Sequence, residues 1–259
     1  MFEIDSALIG GWVGSALWPF FRVGAFFMVA PIFGTQLVPA RIRLILAVLM
    51  TIALAPNLPP MPSFDTLSLA AFIIVAQQVL IGIAMGFAMQ ILLQVFVVAG
   101  QIIAMHMGLG FASMVDPTNG VTVTVMSQFH LMLITLLFIA MNGHLAMIEV
   151  VAESFNALPV GAGFIDSQQL LGLASRGGWL FASALLLSLP AIASLLIFNL
   201  SLGVVTRAAP QLNIFALGFP AMLVMGLWVI LITMNGYLPL FDRFTREALD
   251  VMALLVVRQ

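Results

Sequence analysis

The sequence predicts an all-α membrane protein, and three observations carry that expectation. Apolar residues make up 63% of the 259 positions and charged residues 7%, against roughly 45–50% and roughly 25% in soluble domains. The apolar residues fall in runs long enough to span a bilayer, separated by short breaks rich in proline and glycine. Most ionisable residues stand near the ends of those runs, where the cost of leaving water is small. A soluble fold of this size could not hide so much apolar surface.

Composition also excludes several classes. The formal net charge is −2, every cation is arginine, and no basic patch exists for nucleic acid or for anionic lipid. There is no cysteine, hence no disulfide, thiolate metal site or cysteine nucleophile. The acidic start, MFEID, lacks the basic region of a cleavable signal peptide, so the first apolar segment is expected to be retained.

Ala7–Phe33 is the first predicted helix, with Arg22 near its middle and Pro19 and Pro31 on either side. A central arginine costs roughly 2.5–3.5 kcal/mol on insertion scales, so it should face protein or water. A buried ion pair with Glu149 or Glu153 would satisfy it; so would a subunit contact or an aqueous path. Arg41 and Arg43 precede a short second segment, Leu44–Ala55, and the positive-inside rule places that end in the cytoplasm. Asn57–Asp65 is a proline-rich connector. Leu67–Met107 then runs for about 41 residues without a proline, about 60 Å as one helix, which is twice the bilayer core. A hairpin, a strong bend or a stretch outside lipid is therefore expected. Gly82 and Gly86 form a small-xxx-small pair, and Gln90, Gln94 and Gln101 share one face.

That run leads into Met105–Gly120, MHMGLGFASMVDPTNG. Its glycines ease non-helical backbone, Asp116-Pro117 disfavours helix, and Asn119-Gly120 is a turn signal. Yet Met105, Met107, Leu109, Phe111, Met114 and Val115 make it oily, whereas loops normally face water. It is either buried against protein or lines something that opens and closes. Val121–Val151 is the fourth apolar region, interrupted at Asn142-Gly143-His144. Pro159–Asp166 is the expected boundary between residues 1–160 and 161–259. Leu170–Thr206 is the fifth region and ends in TRAAPQLNIF, where Arg207, Pro210, Gln211 and Asn213 form a polar turn. Leu212–Tyr237 is the sixth. In the tail, Phe241–Gln259, charges alternate at helical spacing with Leu240, Phe244, Ala248, Val251 and Leu255, the pattern of an amphipathic interfacial or partner-docking helix.

No catalytic pattern survives inspection. Gly108-Leu109-Gly110 begins a GxGxxG that fails at Ser113, and Phe111 stands where an intramembrane aspartyl motif needs aspartate. The three histidines are scattered without metal-ligand spacing. Ser127 and His130 could share a helical face, but two locally satisfied polar residues account for them equally. No enzyme, cofactor or metal is expected. Met85, Met89, Met105, Met107 and Met114 suit irregular core packing, and equally a compliant seal around a pore. A small-solute channel or transporter stays open as an alternative: the loop supplies a broken helix, although no internal repeat accompanies it.

GLGFASMVDPTNG (108–120) and TRAAPQLNIFALGFP (206–220) resemble the two signature stretches of the FliR family, subunits of the export gate of bacterial flagellar type III secretion, related to the SctT-type injectisome proteins. The resemblance covers essentially the whole chain. It implies long bent helical hairpins, FliP-like through residue 160 and FliQ-like from 161, rather than simple spans. It implies a place in the bacterial inner membrane at the flagellar basal body, with FliP, FliQ and FlhB as partners and unfolded export substrates as cargo. It further implies that loop 105–120 is a channel plug, with Met105, Met107, Gly108, Gly110, Phe111 and Met114 closing the lumen. Arg207, Pro210, Gln211 and Asn213 would be structural or inter-subunit residues.

Overall fold

The structure is a computed structural model and describes residues 6–59, 68–110, 112–116, 120–208 and 214–257. Helices α1 (Ser6–Val29), α2 (Ala40–Leu54) and α3 (Leu69–His106) are followed by strands β1 (Ser113–Val115) and β2 (Thr122–Thr124). Helices α4 (Val125–Ala140), α5 (Gly143–Ala157), α6 (Ser167–Ala208), α7 (Ile214–Thr233) and α8 (Tyr237–Leu254) complete the chain. Among the described residues four helical stretches are long and apolar enough to cross a membrane, or five if α4 and α5, bent by 66°, count as one. The chain is an all-α integral membrane protein with one short β-hairpin. It divides into two compact units, one comprising 1–91, 139–176 and 247–259, the other 92–138 and 177–246.

The long apolar run is not a hairpin. It is the single helix α3, 38 residues long and so about 57 Å from end to end. A helix that is hydrophobic all round belongs inside protein, and most of α3 is buried, with Met85, Met89, Leu92 and Phe96 fully enclosed. Its length is accommodated by the chain's own packing. By contrast α2 leaves Ile42, Leu44, Ile45, Val48, Leu49 and Ile52 exposed.

In the first unit α1 and α3 meet at the predicted glycine pair. A Cβ on Gly82 would collide with the backbone oxygen of Arg22 and stand 2.9 Å from Phe26 N; one on Gly86 would stand 3.0 Å from Ala30 N. Only glycine allows the two backbones this close. Arg22 is completely buried beside that contact. Its Nε donates to Gln78 Oε1 at 2.8 Å, Nη1 to the Ser154 carbonyl at 2.9 Å and to Ser154 Oγ at 3.0 Å, and Nη2 to the Leu158 carbonyl at 2.8 Å. Its guanidinium lies 4.2 Å from the centre of the Phe155 ring. Neither expected carboxylate partner is buried with it: Glu149 and Glu153 are both exposed. The compensating negative charge is the carbonyl end of α5, where unpaired C=O groups and the helix dipole favour a cation.

The predicted break at Asn142-Gly143 is present: Asn142 adopts φ 58° and α5 begins at Gly143, a conformation that asparagine tolerates better than most residues. Pro190 is carried inside α6 and Pro220 inside α7. The second unit packs around rings: Phe96 lies 6.5 Å from Tyr237, 6.0 Å from Phe241 and 6.2 Å from Phe244, and Trp179 lies 5.4 Å from Phe244. The apolar face of α8 is thus used within the chain. Tyr237, Phe241, Phe244, Ala248 and Val251 are buried, while Asp242 and Arg246 pair at 2.8 Å on the exposed side. A helix docking this face on an outside partner is not what the structure contains.

Candidate functional site

The oily loop begins where α3 is stopped by a specific device. Gly108 has φ +79°. Leu109 N donates to the Ala104 carbonyl at 2.9 Å and Gly108 N to the Met105 carbonyl at 3.3 Å. These are the six-to-one and five-to-two bonds of a Schellman ending, with glycine in the left-handed position. The accompanying apolar contact is also made, since Leu109 packs on the cluster that holds Ile103 and Ala104. The chain leaves the helix in a fixed direction.

From Ala112 it enters a hairpin whose second strand falls within the apolar region expected to be helical from Val121. Ser113 faces Thr124, Met114 faces Val123, and Val115 faces Thr122. Asp116 N donates to the Val121 carbonyl and Gly120 N to the Asp116 carbonyl, both at 2.8 Å, with Gly120 at φ +71°. The β-branched run Thr122-Val123-Thr124 favours strand over helix, so α4 starts at Val125 and not at Val121. Thr124 then caps α4, its Oγ1 accepting from Ser127 N at 3.2 Å. Ser127 Oγ donates to the Val97 carbonyl at 2.8 Å, with Gln101 Oε1 at 3.3 Å. One turn further along α3, a Cβ on Gly100 would stand 2.8 Å from Met126 O and from Ser127 Cα. The base of the hairpin is therefore pinned on both sides.

The predicted seal residues separate into distinct positions. Met105 is 61% and Met114 43% exposed, and a Cβ on Gly110 would lie 2.7 Å from Met105 Sδ. Met107 is fully buried, in a cluster with Ile103, Ala104, Met126, Leu195 and Ile230. Two residues apart on a helix, Met105 and Met107 point to different sides. Phe111 lies outside the described residues. Of the second motif, Arg207 is exposed in the last turn of α6; Pro210, Gln211 and Asn213 lie outside the described residues.

Ser127 and His130 do not form a nucleophile–base pair. Ser127 is bonded as above, and His130 bonds to the Met126 carbonyl through Nδ1 at 2.7 Å and to Tyr237 OH through Nε2 at 2.9 Å. Sequence reasoning missed Gly226 and Phe219 of α7, which receive the stalk of the loop: a Cβ on Gly226 would stand 2.5 Å from Met107 Cγ, and one on Gly108 3.4 Å from the Phe219 ring. The one visible signal was a glycine alone in the bulky run MLVMGLWVIL.

Apolar helices around a pinned, oily loop define an integral membrane protein, and comparison with known proteins supplies the system it serves. The family described as bacterial export proteins, family 1, matches residues 13–248. The flagellar biosynthetic protein FliR of Escherichia coli is 38% identical over 257 residues, covering 98% of this chain and 97% of that one. FliR of Pectobacterium carotovorum is 38% identical over 253 residues, and FliR of Aquifex aeolicus 31% over 219, or 83% of each chain. The chain belongs to the FliR family of flagellar export proteins. It is a membrane component of the flagellar export apparatus and works with other components of that apparatus.

Proposed function

We propose that this chain is a non-enzymatic core subunit of the export gate in the bacterial inner membrane at the flagellar basal body. It forms the channel with FliP and FliQ, associates with FlhB, and closes the channel with loop 105–120. In this reading residues 1–160 supply a FliP-like part and residues 161–259 a FliQ-like part. Unfolded export substrates pass when the loop is displaced.

The observation that carries the reading is the exposure of Met105 at the end of α3 and of Met114 on a hairpin whose base is bonded to α3 and α4. An exposed methionine on a strand with a fixed base excludes hydrated ions, because methionine fills irregular gaps and offers water no partner. Gly108, at positive φ, stands between α3 and the hairpin and gives it a hinge point. Such a loop gates by shifting between closed and open populations. Exposed apolar faces on α2 and α6 suit neighbouring subunits as well as lipid.

Deleting residues 108–114 in the assembled gate tests the reading. Cells carrying the deletion should become permeable to small ions while the subunit still co-purifies with FliP and FliQ. Unchanged conductance contradicts the seal. Solute flux from the purified chain alone, without those partners, marks an independent small-solute channel instead.

A further inference from the structure

Resting on the plug reading, we infer that α7 is the latch that holds the plug closed, and that opening requires Met107 to leave the notch at Gly226. The two ends of the loop are held by different kinds of contact. At the α4 end the Ser127 and Thr124 hydroxyls bond to α3 and to the first turn of α4, and the backbones at Gly100 and Met126 nearly touch. These hydroxyls are bonded on both sides, with Gln101 Oε1 also within reach of Ser127 Oγ, so this end behaves as a fixed post. At the α3 end the hold is a flexible side chain in a cleft made by a missing one. The space in which a Cβ of residue 226 would sit is taken by Met107, whose Cγ, Cε and Sδ lie 2.5, 2.6 and 2.8 Å from that position. Met107 is fully buried there, yet it is the residue directly before the positive-φ Gly108. The Phe219 ring, two turns earlier on α7, lies against Gly108 itself.

The consequence is mechanical. A swing of the hairpin about Gly108 drags on Met107 and Phe219, so a shift of α7 frees the loop, and a loop pushed aside by cargo displaces α7. The coupling is reciprocal. Methionine suits the task because it withdraws through rotamer changes that a branched side chain could not make.

The test uses the assembled gate in cells, with a Met107→Cys, Gly226→Cys pair in a chain that contains no other cysteine. Two small sulfurs replace one methionine, so the notch is not overfilled. The pair should oxidise readily, abolish export when oxidised, and restore it on reduction. In parallel, Gly226→Ala should raise ion leak about tenfold by crowding Met107 out, and combining it with Met107→Ala should return the leak toward the Met107→Ala level. A pair that does not oxidise, or full export through the oxidised gate, overturns the latch while deletion of 108–114 still produces a leak and leaves the plug standing. If that deletion produces no leak, the plug reading falls and the latch with it. Co-purification of each variant with its neighbouring subunits separates these outcomes from failure to assemble.

Discussion

Two glycine contacts in this molecule look alike in sequence and differ in kind. At Gly82 and Gly86 the missing side chain lets one backbone lie on another, and the atoms a Cβ would strike are the main chain of Arg22, Phe26 and Ala30 and the Cβ atoms of Ala25 and Val29, none of which can rotate away. At Gly226 the missing side chain is replaced by Met107, which can move. Close-packed interiors transmit strain when neither side gives. The first contact is therefore a weld between α1 and α3, and the second a socket. The chain contains a rigid frame and, elsewhere, a loop anchored by one contact that yields.

Substitutions sharpen or break that contrast. The largest effect is expected at the weld. Gly82→Val should cost more than about 3 kcal/mol, beyond the usual range for overpacking, since no neighbouring backbone can retreat. Thermal unfolding of the detergent-solubilised chain measures it, and a loss under 1 kcal/mol would mean that α1 can slide. Arg22→Met comes next, at about 2–3 kcal/mol, because it strips Gln78 and the Leu158 carbonyl of a partner. Arg22→Lys should recover less than half of that loss, as one ammonium cannot reach acceptors on both α3 and α5. Full recovery would show that charge alone matters there.

Smaller effects are expected at the loop and at open glycines. Ser127→Ala should cost about 1 kcal/mol and leave the fold intact, while amide exchange in residues 113–124 quickens. Unchanged protection would mean that the hairpin does not depend on its post. Gly172→Ala should reverse the sign. Nothing lies within 4 Å of a Cβ there, so helix propensity alone should stabilise the chain by about 0.5–1 kcal/mol. A loss in the assembled gate, with a gain in the isolated chain, would reveal a subunit packed on that face.

The parts legible in the sequence were those written at short range. Breaks at Asn142-Gly143 and at Pro159, the glycine pair on α3, and the helix-ending Gly108 all follow from local chemistry. The hairpin is half legible: Asn119-Gly120 marks a turn, but the apolar run from Val121 suggests helix, because valine is apolar in either setting. The partners of Arg22 were not legible, since Ser154 and Leu158 lie 132 and 136 residues away along the chain and the compensating groups are main-chain carbonyls that any sequence has. Nor could spacing alone tell which of Met105 and Met107 points into the core. That depended on Gly226, whose importance lies in an atom it lacks.

The position of Met114 in the working gate tests the central claim most directly. A Met114→Cys chain carrying a photoactivatable thiol probe, assembled in cells and challenged with an export substrate stalled by a folded domain, should crosslink to that substrate. A probe at exposed Leu171 of α6 should not. Crosslinks at Leu171 and none at Met114 would place the loop outside the path of the cargo and contradict the plug.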